Sequence, residues 1–275
     1  MEYFNNELSD STLRQYKRQF QKLTDLLEND IVNTSEKMII RTIRRENKNV
    51  NSDLALLNIA IIVFRQSGKN LDKLVQFRDE LKGKVIEHTI NVNSELVLPS
   101  SETIETYIKS LYTKKLWKDY IINYIVWKYN TRNELDIKFV NSTRIADKDQ
   151  RHNYLVIRAK HIIFIKNKYK TSKVYGRREF INTNPDFRRA VLALSKSQEH
   201  LIIDKNDEPI SDENIGTYVL NATYEKLGEG KYLKIQLDEA KKKKNTFNII
   251  KKISKRRGTD LETLLTAYNI EDEST

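Results

Sequence analysis

The segment NTRNELDIKFV, residues 130–140, is where this chain changes from one periodicity to another. Upstream of it, apolar residues recur every three or four positions, the spacing of amphipathic helices. Downstream, β-branched residues alternate with polar ones over short runs, the spacing of strands. Asn130 and Thr131 break the helical run WKDYIINYIVWKY (117–129), Arg132 follows at once, and LDIKFV (135–140) opens the β region. YLVI (154–157), HIIFIK (161–166) and REFI (178–181) read as further strands, and KNKYKTSKVYG (166–176) is the long tip of a hairpin joining the last two. Helical spacing returns at 186–194, at 212–227 after a short LIID strand (201–204), and over most of 231–268. The pattern predicts a mainly α chain with a small antiparallel sheet.

Working back from Arg132, four short helices are predicted in the first ninety residues. Ser11 caps a run carrying Leu13, Tyr16, Phe20 and Leu23 on one face. EKMIIRTIRR (36–45) follows Ser35, DLALLNIAIIVFRQ (53–66) starts at Asn51 or Ser52 and stops at Gly68, and LDKLVQFRDELKGKV (71–85) is the fourth. Short helices joined by loops of a few residues make a compact bundle. The stretch from 87 to 101 lacks a helical period and contains Pro99, so the expected organisation is a helical domain at 1–90, a linker at 91–100 and a second domain at 101–275. Ser100 caps ETIETYIKSLY (102–112), the first helix of the second half.

Lys and Arg number 49 against 38 Asp and Glu, a formal charge of +11, and the pI is about 9.4. Such an excess favours a polyanionic partner, of which nucleic acid and anionic membrane are the common cases, and two long basic clusters point to nucleic acid. Two clusters carry it. Arg41, Arg44 and Arg45, with Lys48, gather near one turn of the first half. Lys241, Lys242, Lys243, Lys244, Lys251, Lys252, Lys255, Arg256 and Arg257 form a second and longer one. The plainer reading of the first cluster is a solvated face, and of the second a solvated face or a nuclear localisation signal.

Other classes are disfavoured. There is no cysteine, which removes disulfides, thiol nucleophiles and zinc–thiolate sites. His88, His152, His161 and His200 show no metal-ligand spacing such as HExxH or HxH, so no metal and no other cofactor is assigned. No apolar run approaches the ~18–20 residues of a membrane span, and MEYFNNELSDS lacks the apolar centre of a signal peptide. No membrane partner is expected, and the chain is expected inside the cell.

Taken in order, the helical bundle, the linker, the helices leading to an Arg, the hairpin with Lys at its tip, more helices and a tyrosine near the C-terminus resemble the tyrosine recombinases and integrases. The resemblance covers nearly the whole chain. Its flavour is that of the divergent recombinase-like proteins of large DNA viruses, which would place the chain in the host nucleus, a viral factory or the virion. It implies a helical core-binding, SAM-like DNA clamp at 1–90 and an α+β catalytic domain at 101–275. Arg132 then matches the family's first arginine, and Lys170 matches its hairpin lysine, with Lys173 the near alternative and otherwise a DNA contact. Lys231 and Lys234 in GKYLKIQ (230–236) fall where the family has His-x-x-Arg. In RRGTDLETLLTAYNI (256–270), Gly258 fits the last box, Thr259 stands at the usual His or Trp, and Tyr268, nine residues on, matches the nucleophile.

The reaction that the resemblance implies explains this set. A tyrosine hydroxyl attacks a DNA phosphodiester, forms a 3′-phosphotyrosyl bond and releases a 5′-hydroxyl. Negative charge gathers on the non-bridging oxygens, where fixed cationic donors stabilise it, and a lysine can protonate the leaving oxygen. Arg meets two oxygens with one planar fork; Lys234 keeps the charge of the arginine it replaces and loses that fork. Thr259 supplies a hydrogen bond and no charge. The leading expectation is therefore a site-specific strand-transfer enzyme on duplex DNA, working as a homo-tetramer by resemblance. A catalytically weak or inactive DNA-binding protein with an architectural, packaging or virion role is the close alternative. An unrelated basic helical protein that binds RNA or acts as a virion component is a third.

Overall fold

A computed structural model describes residues 3–4, 10–46 and 49–267. Tyr268, the expected nucleophile, and Lys48 lie outside the described residues. The chain divides into two compact units, Met1–Leu96 and Val97–Thr275.

The first unit contains α1 (Asp10–Leu27), α2 (Glu36–Glu46), α3 (Val50–Gln66) and α4 (Asp72–Glu95). α3 is apolar around most of its circumference and sits at the centre, burying Leu56, Leu57, Ala60, Val63 and Phe64. Leu23 of α1, Ile39 and Ile43 of α2, and Leu74, Phe77 and Leu81 of α4 close round it in one core. Asn49 starts α3, its side chain accepting from the Ser52 amide at 2.8 Å, two residues ahead of the earlier of the two expected starts. The start of α4 is capped from another helix, since the Glu36 carboxylate accepts from the Lys73 and Leu74 amides at 2.9 and 3.1 Å.

α4 also corrects the expected linker, because it continues to Glu95. Apolar periodicity reports a buried face, and this last part of α4 has little of one: Ile86 and Val92 are about half exposed. Non-helical backbone is confined to 96–100.

The second unit begins with α5 (Ser101–Thr113) and α6 (Trp117–Tyr129), followed by β1 (Ile137–Val140), α7 (Thr143–Lys148), β2 (Asn153–Ile157) and β3 (Ile162–Lys166). The one-turn α8 (Ser172–Tyr175), β4 (Arg178–Asn182), α9 (Pro185–Leu194) and α10 (Asp212–Ala222) come next. α11 (Gly228–Lys241), α12 (Thr246–Arg257) and α13 (Leu261–Ala267) complete it. α6 is the central helix, with Ile121, Ile122, Ile125 and Val126 packed among residues of α5, α9, α10, α11 and the sheet. A smaller core joins Leu233 and Leu237 of α11 to Ile250 and Ile253 of α12 and Leu264 of α13.

The fold is mainly helical, as expected, but the sheet is mixed. Its order is β1-β2-β3-β4; β2–β3 and β3–β4 are antiparallel, while β1 runs parallel to β2 with Ile137 opposite Asn153. A parallel pair needs a crossover, and α7 provides part of it. Six residues long and capped by Ser142, α7 is too short for its period to be visible in the sequence. LIID forms no strand, only an isolated bridge just before it, Lys138–His200, and one within it, Ile203–Pro209. The helical run expected at 212–227 stops at Ala222, and that at 231–268 is divided among α11, α12 and α13. No described helix is long and apolar enough to cross a membrane.

Candidate functional site

The placement of Arg132 starts at the end of α6. Asn130 takes a left-handed conformation, φ 52°, which Asn tolerates better than most residues, and turns the chain out of the helix. Its side-chain amide donates to Gln236 at 2.7 Å, and Gln236 in turn donates to the Trp127 carbonyl at 2.7 Å. Arg256 and Arg257 donate to the carbonyls of Lys128 and Asn130, both at 3.4 Å, which sets positive charge at the negative end of α6. Arg132 therefore leaves a turn that α11 and α12 hold from both sides.

Three segments distant in sequence meet at that turn. Arg132 Nη2 donates to Thr259 Oγ1 at 2.7 Å. Glu134 Oε1 accepts from the Lys170 amide at 2.9 Å and lies 3.9 Å from Arg132 Nη1, while its Oε2 is 3.2 Å from Lys166 Nζ. Thr171 Oγ1 donates to the Gly258 carbonyl at 2.5 Å. Gly258 has φ +69°, and a Cβ there would come within 2.9 Å of both Thr171 Oγ1 and the Tyr169 ring, so the hairpin tip docks where only a glycine leaves room. Asn153 ties the base of the tip to the same turn. It donates to the carbonyls of Glu134 and Lys168 at 2.8 Å and accepts from the amides of Asn167 and Lys168 at 2.9 Å.

The electrostatics of this cluster are cationic and partly unsatisfied. Lys166 is fully buried at the end of β3, 4.8 Å from the Tyr169 ring centre. It meets Glu134 as an ion pair without hydrogen-bond geometry: Lys166 Nζ, Glu134 Oε2 and Arg132 Nη1 are buried atoms lacking a hydrogen bond among the described residues. Burial pushes the Lys166 pKa below its usual value, Glu134 opposes that shift, and Arg178 and Arg132 add to it. Burial, followed by the neighbouring charge of Arg257, also lowers that of Arg132, which remains charged as an arginine does. Buried donors left open beside a one-fifth exposed guanidinium form a receptive setting for an anion.

The remaining expected residues have these places. Lys170 and Lys173 are exposed on the hairpin tip, and Lys231 is exposed on α11. Lys234 is buried and held by Asp238 one turn along, at 2.8 and 3.1 Å. Arg257, read in the sequence as part of a DNA-facing stripe, points inward instead. It is buried, and two of its nitrogens meet the Glu229 carboxylate at 2.7 and 3.2 Å. Lys251, Lys252 and Lys255 are exposed on α12, as are Lys241, Lys242, Lys243 and Lys244 at and after the end of α11. Arg256, Lys243 and Lys252 line a groove of about 260 Å³ with Trp127 and the carboxylates of Glu105 and Glu239. In the first unit Arg41, Arg44 and Arg45 are exposed on α2, with Arg44 stacked over Phe77 and 3.4 Å from Glu80.

Glu134, Lys166 and Glu229 were missed in the sequence. Glu134 offered a faint signal, two residues after Arg132. Lys166 read as one more member of a basic hairpin, and its burial depends on the packing of the sheet.

No protein-family model matches the chain, and no curated protein matches it. Among solved structures, one described as the crystal structure of XerA recombinase aligns over 98% of this chain and 90% of that one, at 12% identity and a TM-score of 0.38. Similarity of that size carries no weight for function, which rests on the residues around Arg132.

Proposed function

We propose that the chain binds duplex DNA and transfers strands in the manner of a tyrosine recombinase, with one phosphate seated at Arg132. The observation that carries this reading is the meeting of Arg132, Thr259 and the 166–171 hairpin segment round a cationic turn with open buried donors. Thr259 holds the guanidinium at Nη2, Glu134 lies 3.9 Å from Nη1, and the exposed fifth of the arginine side chain is where a phosphate oxygen would meet it. Lys170, exposed on the docked tip, serves as the general acid. Tyr268, nine residues beyond Thr259, is the nucleophile: its oxygen bonds to phosphorus, the 5′-oxygen leaves with a proton from Lys170, and the tyrosine proton passes to water. The exposed lysines of α12 and the arginines of α2 hold the backbone of the duplex.

A binding-only reading has its own support. Lys234 is committed to Asp238 and Arg257 to Glu229, so Arg132 lacks a second free fork beside it. Trapping on a nicked suicide duplex separates the two. An enzyme gives a denaturant-resistant adduct that disappears in Tyr268→Phe while binding persists; a binding module gives binding and no adduct. An adduct that survives Tyr268→Phe would overturn the assigned nucleophile.

A further inference from the structure

Three metal-ligating side chains meet on the far side of Glu134 from Arg132 in sequence, at a place no spacing rule marks. Asp136 and His152 immediately precede β1 and β2, and the parallel register sets Ile137 opposite Asn153, so the two residues before them lie side by side. His152 Nδ1 is 2.9 Å from both Asp136 oxygens. His200 reaches the same point from the segment that bridges to Lys138. It is fixed there by hydrogen bonds from the Phe139 amide to the Glu199 carbonyl and from the Leu201 amide to the Ile137 carbonyl, both 2.8 Å. One ligand atom from each of the three side chains lies within 4.8 Å of the others.

We propose that Asp136, His152 and His200 form a binding site for a borderline divalent transition-metal ion, with Zn²⁺ as the reference case. Two imidazoles and one carboxylate suit such an ion; Mg²⁺ and Ca²⁺ prefer all-oxygen sites. Around a tetrahedral ion with bonds of ~2.1 Å, donors sit about 3.4 Å apart. The three ligand atoms, all within 4.8 Å of one another, would draw to that spacing when the ion binds. His200 is buried, so its ring is held in place by the surrounding protein, and it is the neutral imidazole that a metal ion binds. Water completes the coordination.

The existing counter-charge on Asp136 can be released. Lys168 Nζ donates to Asp136 Oδ2 at 3.0 Å, but it also lies 2.7 and 2.9 Å from the two oxygens of Asp212. When Asp136 turns to the metal, Asp212 keeps the lysine. The ion and Lys168 thus compete for one carboxylate, and metal binding would clasp the 198–203 segment to β1 and β2 while loosening the base of the hairpin tip. The site does not depend on the DNA reading.

The test uses the untagged full-length chain. After equilibration with Zn²⁺ and gel filtration, one equivalent is expected to be retained, and Co²⁺ should give a visible d–d absorption that Zn²⁺ removes. His152→Gln and His200→Gln should each weaken binding by roughly tenfold or more, with circular dichroism confirming the fold. Lys168→Met should tighten binding, because it removes the competing cation. Absence of retained Zn²⁺ and of the Co²⁺ band in the wild type overturns the site. Unchanged affinity in a folded His152→Gln/His200→Gln double variant does so too, as does a Lys168→Met variant that binds no more tightly. Should the histidine variants unfold, the wild-type stoichiometry and Lys168→Met decide the matter.

Discussion

Thr259 accepts a 2.7 Å hydrogen bond from Arg132 across 127 positions of sequence, joining the turn after α6 to the turn after α12. A threonine in this place cannot contribute charge to a phosphate, but it can hold the guanidinium that does. The bond is to a charged group that is about one-fifth exposed, so water replaces part of it when the hydroxyl is removed. Thr259→Val is expected to cost about 1 kcal/mol in denaturant unfolding. If Arg132 seats a phosphate, the same change should weaken duplex binding, and Thr259→Ser should restore both. Equal DNA affinity in wild type and Thr259→Val would separate this bond from phosphate binding.

Lys166 leads to a pH dependence. Its pKa in the folded chain is depressed by burial, whereas the unfolded chain titrates near the ordinary 10.5. Between the two values the unfolded state holds more protons, so stability rises with pH until about the unfolded pKa. Unfolding free energies measured from neutral pH upward should show this rise in the wild type. Lys166→Met should flatten it. A wild type whose stability is level over that window would mean that the lysine is better compensated than its burial suggests.

Gly258 and Gly68 both have positive φ, +69° and +64°, but Gly68 has nothing near a would-be Cβ, whereas Gly258 faces Thr171 and Tyr169 at 2.9 Å. Gly68→Ala should cost only the backbone term, about 1–2 kcal/mol. Gly258→Ala adds overpacking and should cost about 1–3 kcal/mol more. Thermal or denaturant unfolding of the two variants side by side measures the docking of the hairpin tip directly. Equal losses would show that the tip yields without cost.

The basic residues of α12 should divide by measurement into two kinds. Replacing Lys251, Lys252 and Lys255 with Gln should leave stability nearly unchanged and make the log–log salt dependence of duplex binding shallower, by about 0.9 for each phosphate no longer neutralised. Arg257→Gln should act chiefly on stability, because it leaves Glu229 without its bidentate partner. A flat salt response in the wild type would remove the electrostatic basis for DNA binding.

Residue order alone was enough for the helical spacing of α1 to α3, the break at Asn130, the strand runs that became β1 to β4 and the hairpin tip between the last two. Each is a local matter: a period of 3.6 or 2, or a residue that leaves a helix easily. Residue order also marked Arg132 and Thr259, which the fold brings together, although their hydrogen bond was not visible in it. The remaining features came from how distant segments pack. The end of α4 carries no period because it has little buried face, and the parallel pairing of β1 with β2 depends on a crossover through six-residue α7. The inward turn of Arg257, the burial of Lys166 and the meeting of Asp136, His152 and His200 depend on which surfaces face one another. A charge in a sequence reads the same whether it faces water or a carboxylate from another helix, and packing alone separates the two.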